Sequence, residues 1–290
     1  LISKTPQIIS QKKVFLCAVI LLLSMAVIMI LSVRKDAYVG DELTYISSGY
    51  SSLKERTYRF NPETPPLIKD FFAVPLLFLN ISPTHQVDVP DEGYALLNKQ
   101  WYAGLDFLFK QKPSADLILF LARLPGILIT LILGWLLFLI TKKFFGSSAG
   151  LIALVFYIFS PGILAHGRLA LLDVPAALGA SLSIYYFVRF LEDPKKKYIL
   201  MSGITFGIAQ LIKFNLIILL PFLLGVFVFW VALHVRKVKD FIRQILIWLP
   251  KVLLVGLVSL FVIFLVYQYH IWGYPKTQQE NDIRSVLLET

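Results

Sequence analysis

The chain has 290 residues, of which 57% are hydrophobic and only 16% charged, and its mean hydropathy is +0.73. Soluble domains carry about 25% charged and about 45–50% apolar residues, so an ordinary soluble globular protein and a disordered chain are both excluded. The net charge of +10 does not indicate a nucleic-acid partner, because the cations punctuate apolar runs rather than line one face. Cys17 is the only cysteine, which excludes an intrachain disulfide and a thiolate metal site. We therefore expect an all-α polytopic membrane protein, with residues 1–290 in a single membrane domain.

Seven apolar runs predict membrane-spanning helices. A helix needs about 20 apolar residues to cross a hydrocarbon core of roughly 30 Å. The first run, residues 14–33, carries no charge, exceeds the length of a signal-peptide core and is not followed by a small-residue cleavage site, so it predicts a retained first span. The other six runs lie at about 116–140, 148–164, 174–191, 198–212, 214–235 and 245–270.

Basic residues in short loops predict the orientation of the bundle. They precede the first span and follow the second, fourth and sixth, and short basic loops mark the cytoplasmic side, so the N-terminus is expected to be cytoplasmic. Residues 34–115 then form a long outer loop. Within it, residues 67–79 are apolar but too short to span, which predicts a helix lying in the interface. The basic residues are Lys12, Lys13, Lys142, Lys143, Lys195, Lys196, Lys197, Arg236, Lys237, Lys239 and Arg243.

Several ionisable residues stand near the outer ends of the predicted spans, where charge is costly unless it has a partner or a purpose. Taken singly, the acids fit helix starts and the cations fit interfacial side chains that extend toward water. Taken together, they predict a polar crater over an apolar bundle, in which cations hold a phosphate and a carboxylate accepts a proton from a hydroxyl. The set comprises Asp41, Glu42, Lys69, Arg123, His166, Arg168, Asp173 and Lys213.

Five elements in chain order resemble a known family. They are Asp41-Glu42 after the first span, NPETPPLIK at 61–69, ARLP at 122–125, SPGILAHGRLALLD at 160–173 and LIKF at 211–214. The ordered set resembles the GT-C fold glycosyltransferases that use polyprenyl- or dolichyl-phosphate sugars, near glycosyltransferase family 39, which include protein O-mannosyltransferases and lipid A aminoarabinose transferases. Thr64 stands where that family usually has histidine before the Pro-Pro pair. Family members commonly continue through further spans, so we expect the chain to be the N-terminal catalytic part of a longer one.

The resemblance implies a GT-C-like bundle and an enzyme of the cell membrane. It would move a sugar from a polyprenyl-phosphate carrier to a lipid, glycan or protein hydroxyl on the extracytoplasmic face, by direct displacement with inversion. Asp41 would be the catalytic base, and Glu42 would support it or bind the sugar or a metal. The implied site consists of the catalytic Asp41 and Glu42, the phosphate-binding Lys69, Arg168, Lys213 and Arg123, and the sugar-binding or orienting Asp173 and His166.

Two questions stay open at this point. Adjacent carboxylates such as Asp41 and Glu42 suit Mg²⁺ or Mn²⁺, so a divalent ion is one option, and the same carboxylates have a role without it. A membrane transporter or lipid flippase is the alternative function, since charges and Pro or Gly breaks also occur between its helices. That class predicts charges near mid-bilayer and repeat symmetry between halves, whereas here the charges gather at one face. An inactive membrane fragment is a third interpretation, which Thr64 favours.

Overall fold

The computed structural model of the protein describes residues 10–56, 58, 60–82, 95–235 and 237–288. Within these ranges the regular structure is helical and contains no strand, which confirms the predicted all-α class. Arg236 of the predicted basic loop lies outside the described residues. The helices are α1 (Gln11–Val33), α2 (Gly40–Tyr50), α3 (Pro66–Ala73), α4 (Ala95–Phe109), α5 (Ala115–Phe145), α6 (Ser147–Ile158), α7 (Pro161–Gly167), α8 (Asp173–Glu192), α9 (Lys196–Gln210), α10 (Leu219–His234), α11 (Val238–Ile271) and α12 (Lys276–Leu288).

Fewer helices are long enough to span a membrane than the seven apolar runs predict. Among the described residues, five segments qualify, namely α1, α5, α8, α11 and Phe214–His234, in which a 3₁₀ turn leads into α10. The pair α6 and α7, which is bent by 62°, makes a sixth if it is counted as one broken span. The predicted span at 198–212 is present as α9, which likewise has 15 residues, too few to count as a full-length span. That corresponds to about 22 Å, short of a core of roughly 30 Å.

Helix α9 packs between α8 and α11 through small residues. A Cβ on Gly203 would come within 2.8 Å of the Val255 carbonyl oxygen, and one on Gly207 within 2.8 Å of the Ser259 carbonyl oxygen. Residues four apart lie on one face of a helix, so these two glycines let the α9 and α11 backbones approach closely. The contact fixes α11 beside the rest of the bundle.

Apolar side chains cover the outside of the spanning helices. Phe156, Phe229 and Leu260 are 75%, 66% and 63% exposed, respectively. A water-soluble monomer rarely exposes a continuous apolar surface of this kind. Lipid is the solvent that suits it, because every backbone polar group inside a spanning helix is already satisfied.

The loop between α1 and α5, which the sequence predicts to lie outside, folds into short helices against the N-terminal part of α5. The predicted helix at 67–79 is present as α3 followed by a 3₁₀ turn over Val74–Phe78. Pro66 occupies the first turn of α3, where its missing N–H costs nothing. A Cβ on Gly49 would collide with the Lys69 carbonyl, so glycine is what permits α2 and α3 to pack at this point. The chain thereby places Lys69 against the helix that carries Asp41.

Candidate active site

A buried ion pair joins α2 to α5. Glu42 and Arg123 are both 0% exposed. The Arg123 guanidinium donates from Nε to Glu42 Oε1 at 2.8 Å and from Nη2 to Oε2 at 2.6 Å. Its other N–H groups donate to the carbonyls of Val33 at 3.3 Å, Asp36 at 3.0 Å and Ala37 at 2.8 Å. All five donors of the guanidinium are therefore used inside the protein.

The resemblance assigns the carrier phosphate to Arg123, whereas in the structure Arg123 bonds only to groups of the protein. The side chain is inaccessible and has no N–H left to donate. It instead joins the last carbonyl of α1 and two carbonyls of the following segment to Glu42 in the first turn of α2. Its positive charge suits the C-terminal end of α1, and the negative charge of Glu42 suits the N-terminal end of α2. Arg123 is thus a residue that positions the start of α2.

Glu42 is equally occupied. Besides Arg123, its Oε2 accepts from the Val39 N–H at 3.0 Å and its Oε1 from the Ala170 N–H at 2.9 Å. A carboxylate offers about four lone-pair sites, and all are taken. Glu42 does not fit the Mg²⁺ or Mn²⁺ ion that the sequence left open as an option at Asp41 and Glu42, because the Arg123 cation already holds both Glu42 oxygens. Within the part of the chain that the structure describes, no three His, Cys, Asp or Glu side chains are grouped to hold a metal ion.

Asp41 differs sharply from its neighbour. It lies in the first turn of α2 with its side chain exposed, while Glu42 beside it is anchored. Tyr45 lies one turn further along α2, and its phenol is influenced by the charge of Asp41. Burial, and then the carboxylates of Asp41, Asp173 and Glu63, raise the pKa of Tyr45 to about 12. These three acids therefore all act electrostatically on one phenol.

Lys213 and Arg168 each form an ion pair and remain partly exposed. Lys213 Nζ lies 2.8 Å from Asp173 Oδ1, and the two side chains are 34% and 59% exposed. Arg168 Nη2 lies 3.0 Å from Asp36 Oδ2. The acid that orients Arg168 is thus Asp36 and not the predicted Asp173, which pairs with Lys213 instead. His166 lies in the last turn of α7 with an exposed side chain.

Lys69 occupies a different environment. Its side chain is 1% exposed, and Nζ donates to the Asn61 carbonyl at 2.6 Å and to Asn61 Oδ1 at 3.2 Å. The ammonium also lies 5.1 Å from the centre of the Tyr58 ring. Burial lowers the pKa of Lys69 to about 7, against the opposing effects of Asp70 and Glu63. The predicted phosphate ligand is therefore held inside a network, and a phosphate would have to replace Asn61 to reach it.

Asn61 is the centre of that network. Its Nδ2 donates to Glu63 Oε1 and to Gln100 Oε1, each at 2.9 Å. Thr64 donates its hydroxyl hydrogen to Asn61 Oδ1. Asn61 adopts a left-handed backbone with φ of 53°, which asparagine tolerates better than most residues. Thr64, at the position where the resembling family has histidine, therefore helps to hold the side chain that binds Lys69.

Sequence reasoning missed three acids and bases of this region. Asp36 gave only a weak signal, its position just after the first span. Asp70 directly follows Lys69, and His270 ends the last apolar run, so both met the criterion of ionisable residues at outer span ends. In the structure His270 Nε2 lies 2.7 Å from Asp70 Oδ2 and connects α11 to α3.

The fold and these contacts define a polytopic helical membrane protein whose ionisable groups converge at one end of the bundle. The chain belongs to the dolichyl-phosphate-mannose-protein mannosyltransferase family, whose sequence profile matches residues 118–268, just over half of the chain. It is therefore a membrane glycosyltransferase of the GT-C type. No match is found among the curated proteins. The matched segment contains Arg123, Arg168, Asp173 and Lys213 but begins after Asp41, so the role of Asp41 rests on geometry and on the sequence resemblance.

Proposed function

We propose that this protein transfers a sugar from a polyprenyl-phosphate carrier to a hydroxyl of a lipid, glycan or protein acceptor. The observation that carries the proposal is the contrast between two adjacent acids. Glu42 is fully buried and bonded to Arg123, and this holds the exposed Asp41 carboxylate at the end of the bundle where Lys213 and Arg168 also lie. A family that is described by a dolichyl-phosphate sugar donor supports the same class of donor here.

The residues suit a single displacement. Asp41 would accept the proton of the acceptor hydroxyl while the acceptor oxygen bonds to the anomeric carbon. The bond between that carbon and the carrier phosphate oxygen breaks at the same time, and its electron pair stays on the phosphate. Attack opposite the leaving group inverts the anomeric carbon.

The departing phosphate needs positive charge at a fixed place, because stabilising a developing anion is often the largest catalytic contribution. Lys213 and Arg168 would supply this charge. Both are partly exposed, and Asp173 orients Lys213 while Asp36 orients Arg168. Lys69 would add a third cation once a phosphate oxygen replaces its Asn61 acceptor. Asp173 and Glu63 each have one oxygen bonded, to Lys213 and to Asn61 respectively, and each would contact sugar hydroxyls through the other oxygen.

The site is proposed to face the outside of the cell membrane. Lys142 and Lys143 lie in the last turn of α5, at the end opposite Arg123, as the predicted cytoplasmic loops require. An isoprenoid tail would lie along the apolar outer surface of the bundle, and α3 would border the path of the lipid.

The test compares two aspartates in equivalent local settings. Asp116 is also exposed and also lies in the first turn of a helix, α5, so Asp116→Asn controls for the loss of helix-dipole stabilisation. Purified protein is given radiolabelled polyprenyl-phosphate sugars, the mannosyl form first, together with membrane acceptors. Asp41→Asn should lower transfer at least about 100-fold, as expected for loss of a general base, and Asp116→Asn should leave it unchanged.

Equal transfer by the parent and Asp41→Asn would contradict the assignment of the base. The transporter alternative makes a different prediction for proteoliposomes. Movement of labelled carrier lipid across the bilayer, with no sugar transferred to any acceptor, would decide in its favour. Family membership favours the enzyme.

A further inference from the structure

A buried contact between α3 and the outer end of α11 lies directly beside Lys69. His270 Nε2 is 2.7 Å from Asp70 Oδ2, with the two side chains 4% and 14% exposed. His270 Nδ1 lies 2.7 Å from the Val266 carbonyl oxygen. A carbonyl can only accept, so Nδ1 carries a hydrogen and Nε2 is left to share a proton with Asp70. The imidazole is therefore held at both nitrogens and has one orientation.

His270 also reaches Lys69 by a second route, through Tyr58. The His270 and Tyr58 rings pack edge to face with centroids 5.6 Å apart. The Tyr58 ring also contacts the Lys69 ammonium, which lies 5.1 Å from the ring centre. The Tyr58 hydroxyl donates to the Thr64 carbonyl at 2.9 Å, which fixes the ring. His270 thus touches both the neighbour of Lys69 in sequence and the aromatic ring that Lys69 faces.

Helix α3 depends on such contacts because it is short. Eight residues are too few to hold a helix by local hydrogen bonding alone, so packing must do so. Gly49 fixes the distance between α2 and the Lys69 backbone, and Asp70 fixes α3 against α11. Without His270, the largely buried Asp70 carboxylate would lose the donor to Oδ2, and its Oδ1 already has no hydrogen-bond partner among the described residues, so α3 would shift to hydrate it.

We propose that Asp70 and His270 form a clamp that positions Lys69 by holding α3 against the outer end of α11. The clamp couples the last described span to the phosphate site, across 200 residues of sequence. Asp70 and His270 are positioning residues, because they act through Lys69. The part of the proposal that concerns the carrier phosphate rests on the proposed function, whereas the part that concerns α3 does not.

The first experiment measures α3 itself and needs no activity. Hydrogen exchange of backbone amides in residues 66–73 is followed in detergent-solubilised protein. His270→Ala should speed exchange there, and His270→Gln, which keeps one donor toward Asp70, should do so less. His234→Ala is the matched control, since His234 Nδ1 also faces the carbonyl four residues earlier, that of Trp230, but at the end of α10. Unchanged exchange in His270→Ala would overturn the clamp.

The second experiment asks whether His270 acts through Lys69. Binding of polyprenyl monophosphate is measured for the parent, His270→Ala, Lys69→Met and the double variant. His270→Ala should weaken binding about tenfold, the size of one lost charge-assisted hydrogen bond, and should add less than about twofold in the Lys69→Met background. Full additivity would overturn the claim that His270 acts through Lys69. A parent protein that neither binds the carrier nor transfers sugar would contradict the proposed function, and hydrogen exchange alone would then decide the clamp.

Discussion

Glu42 and Arg123 stand 81 residues apart in the chain and meet in a fully buried, doubly hydrogen-bonded ion pair. The pair joins the end of α1 and the start of α2 to the N-terminal half of α5. Through Ala170 it also contacts the turn before α8. A charge in such a position stabilises the fold only while its partner is present. The exposed Asp41 therefore owes its position to a pair of residues that are themselves fully buried.

Removing the cation of this pair should destabilise the protein strongly. Arg123→Met leaves Glu42 as an uncompensated buried charge, which costs about 3–5 kcal/mol of unfolding free energy. Denaturant titration in mixed micelles measures the loss. Arg189→Met is the control, because the Arg189–Glu192 ion pair is partly exposed and exposed ion pairs contribute little to stability. Equal losses in the two variants would contradict the structural role of Arg123.

Substitutions of the adjacent acids Asp41 and Glu42 should differ in their effects on sugar transfer and on stability. Asp41→Asn should abolish most sugar transfer while leaving the unfolding free energy within about 0.5 kcal/mol of the parent, since surface substitutions rarely cost more. Glu42→Gln should lower both, because it leaves Arg123 buried without a countercharge and loosens the start of α2. The measurements are initial transfer rates and denaturant midpoints on the same preparations. A stable, inactive Glu42→Gln protein would instead assign direct chemistry to Glu42.

Lys69 predicts an unusual pH dependence. Burial lowers its pKa from the ordinary 10.5 to about 7 in the folded protein. Between these values the unfolded chain binds more protons than the folded one, so the unfolding free energy should rise with pH, by up to about 1.4 kcal/mol per unit. Lys69→Met should remove this rise, and the difference between parent and variant isolates it from other groups. Carrier binding through the ammonium should fall as pH rises through about 7. A parent and variant with parallel stability profiles would contradict the burial of Lys69.

Loss of the Lys213–Asp173 ion pair should weaken binding of the sugar donor more than it lowers the stability of the fold. Lys213 and Asp173 are partly exposed, so Lys213→Met should change the unfolding free energy by less than about 1 kcal/mol. It should raise the KM for the lipid-linked sugar, because a phosphate ligand is lost. Asp173→Asn should do so less, since the cation remains but loses its orientation. Lys197→Met, on the opposite face in the predicted topology, is the control that should change neither quantity. A KM unaffected by Lys213→Met would remove Lys213 from the phosphate site.

The sequence predicted what depends on local properties. The apolar run at 14–33 and the short run at 67–79 were sufficient for α1 and α3, because length and hydropathy decide whether a segment can cross a bilayer or only lie against one. The run at 198–212 likewise predicted the place and length of α9, which also has 15 residues. Fifteen residues are too few for a helix to cross a hydrocarbon core, so the number of apolar runs exceeds the number of full-length spans.

The sequence by itself thus determined the solvent, the class of fold, the family resemblance and the end of the bundle where charges gather. Only the tertiary structure decided which of those charges remain available. Arg123 and Arg168 are both arginines near predicted span ends. In the structure Arg123 donates all five N–H groups inside the protein, whereas Arg168 is partly exposed and pairs with Asp36. The reason is that burial and pairing depend on distances between residues far apart in the chain. Asp70 and His270, 200 residues apart, show the same dependence.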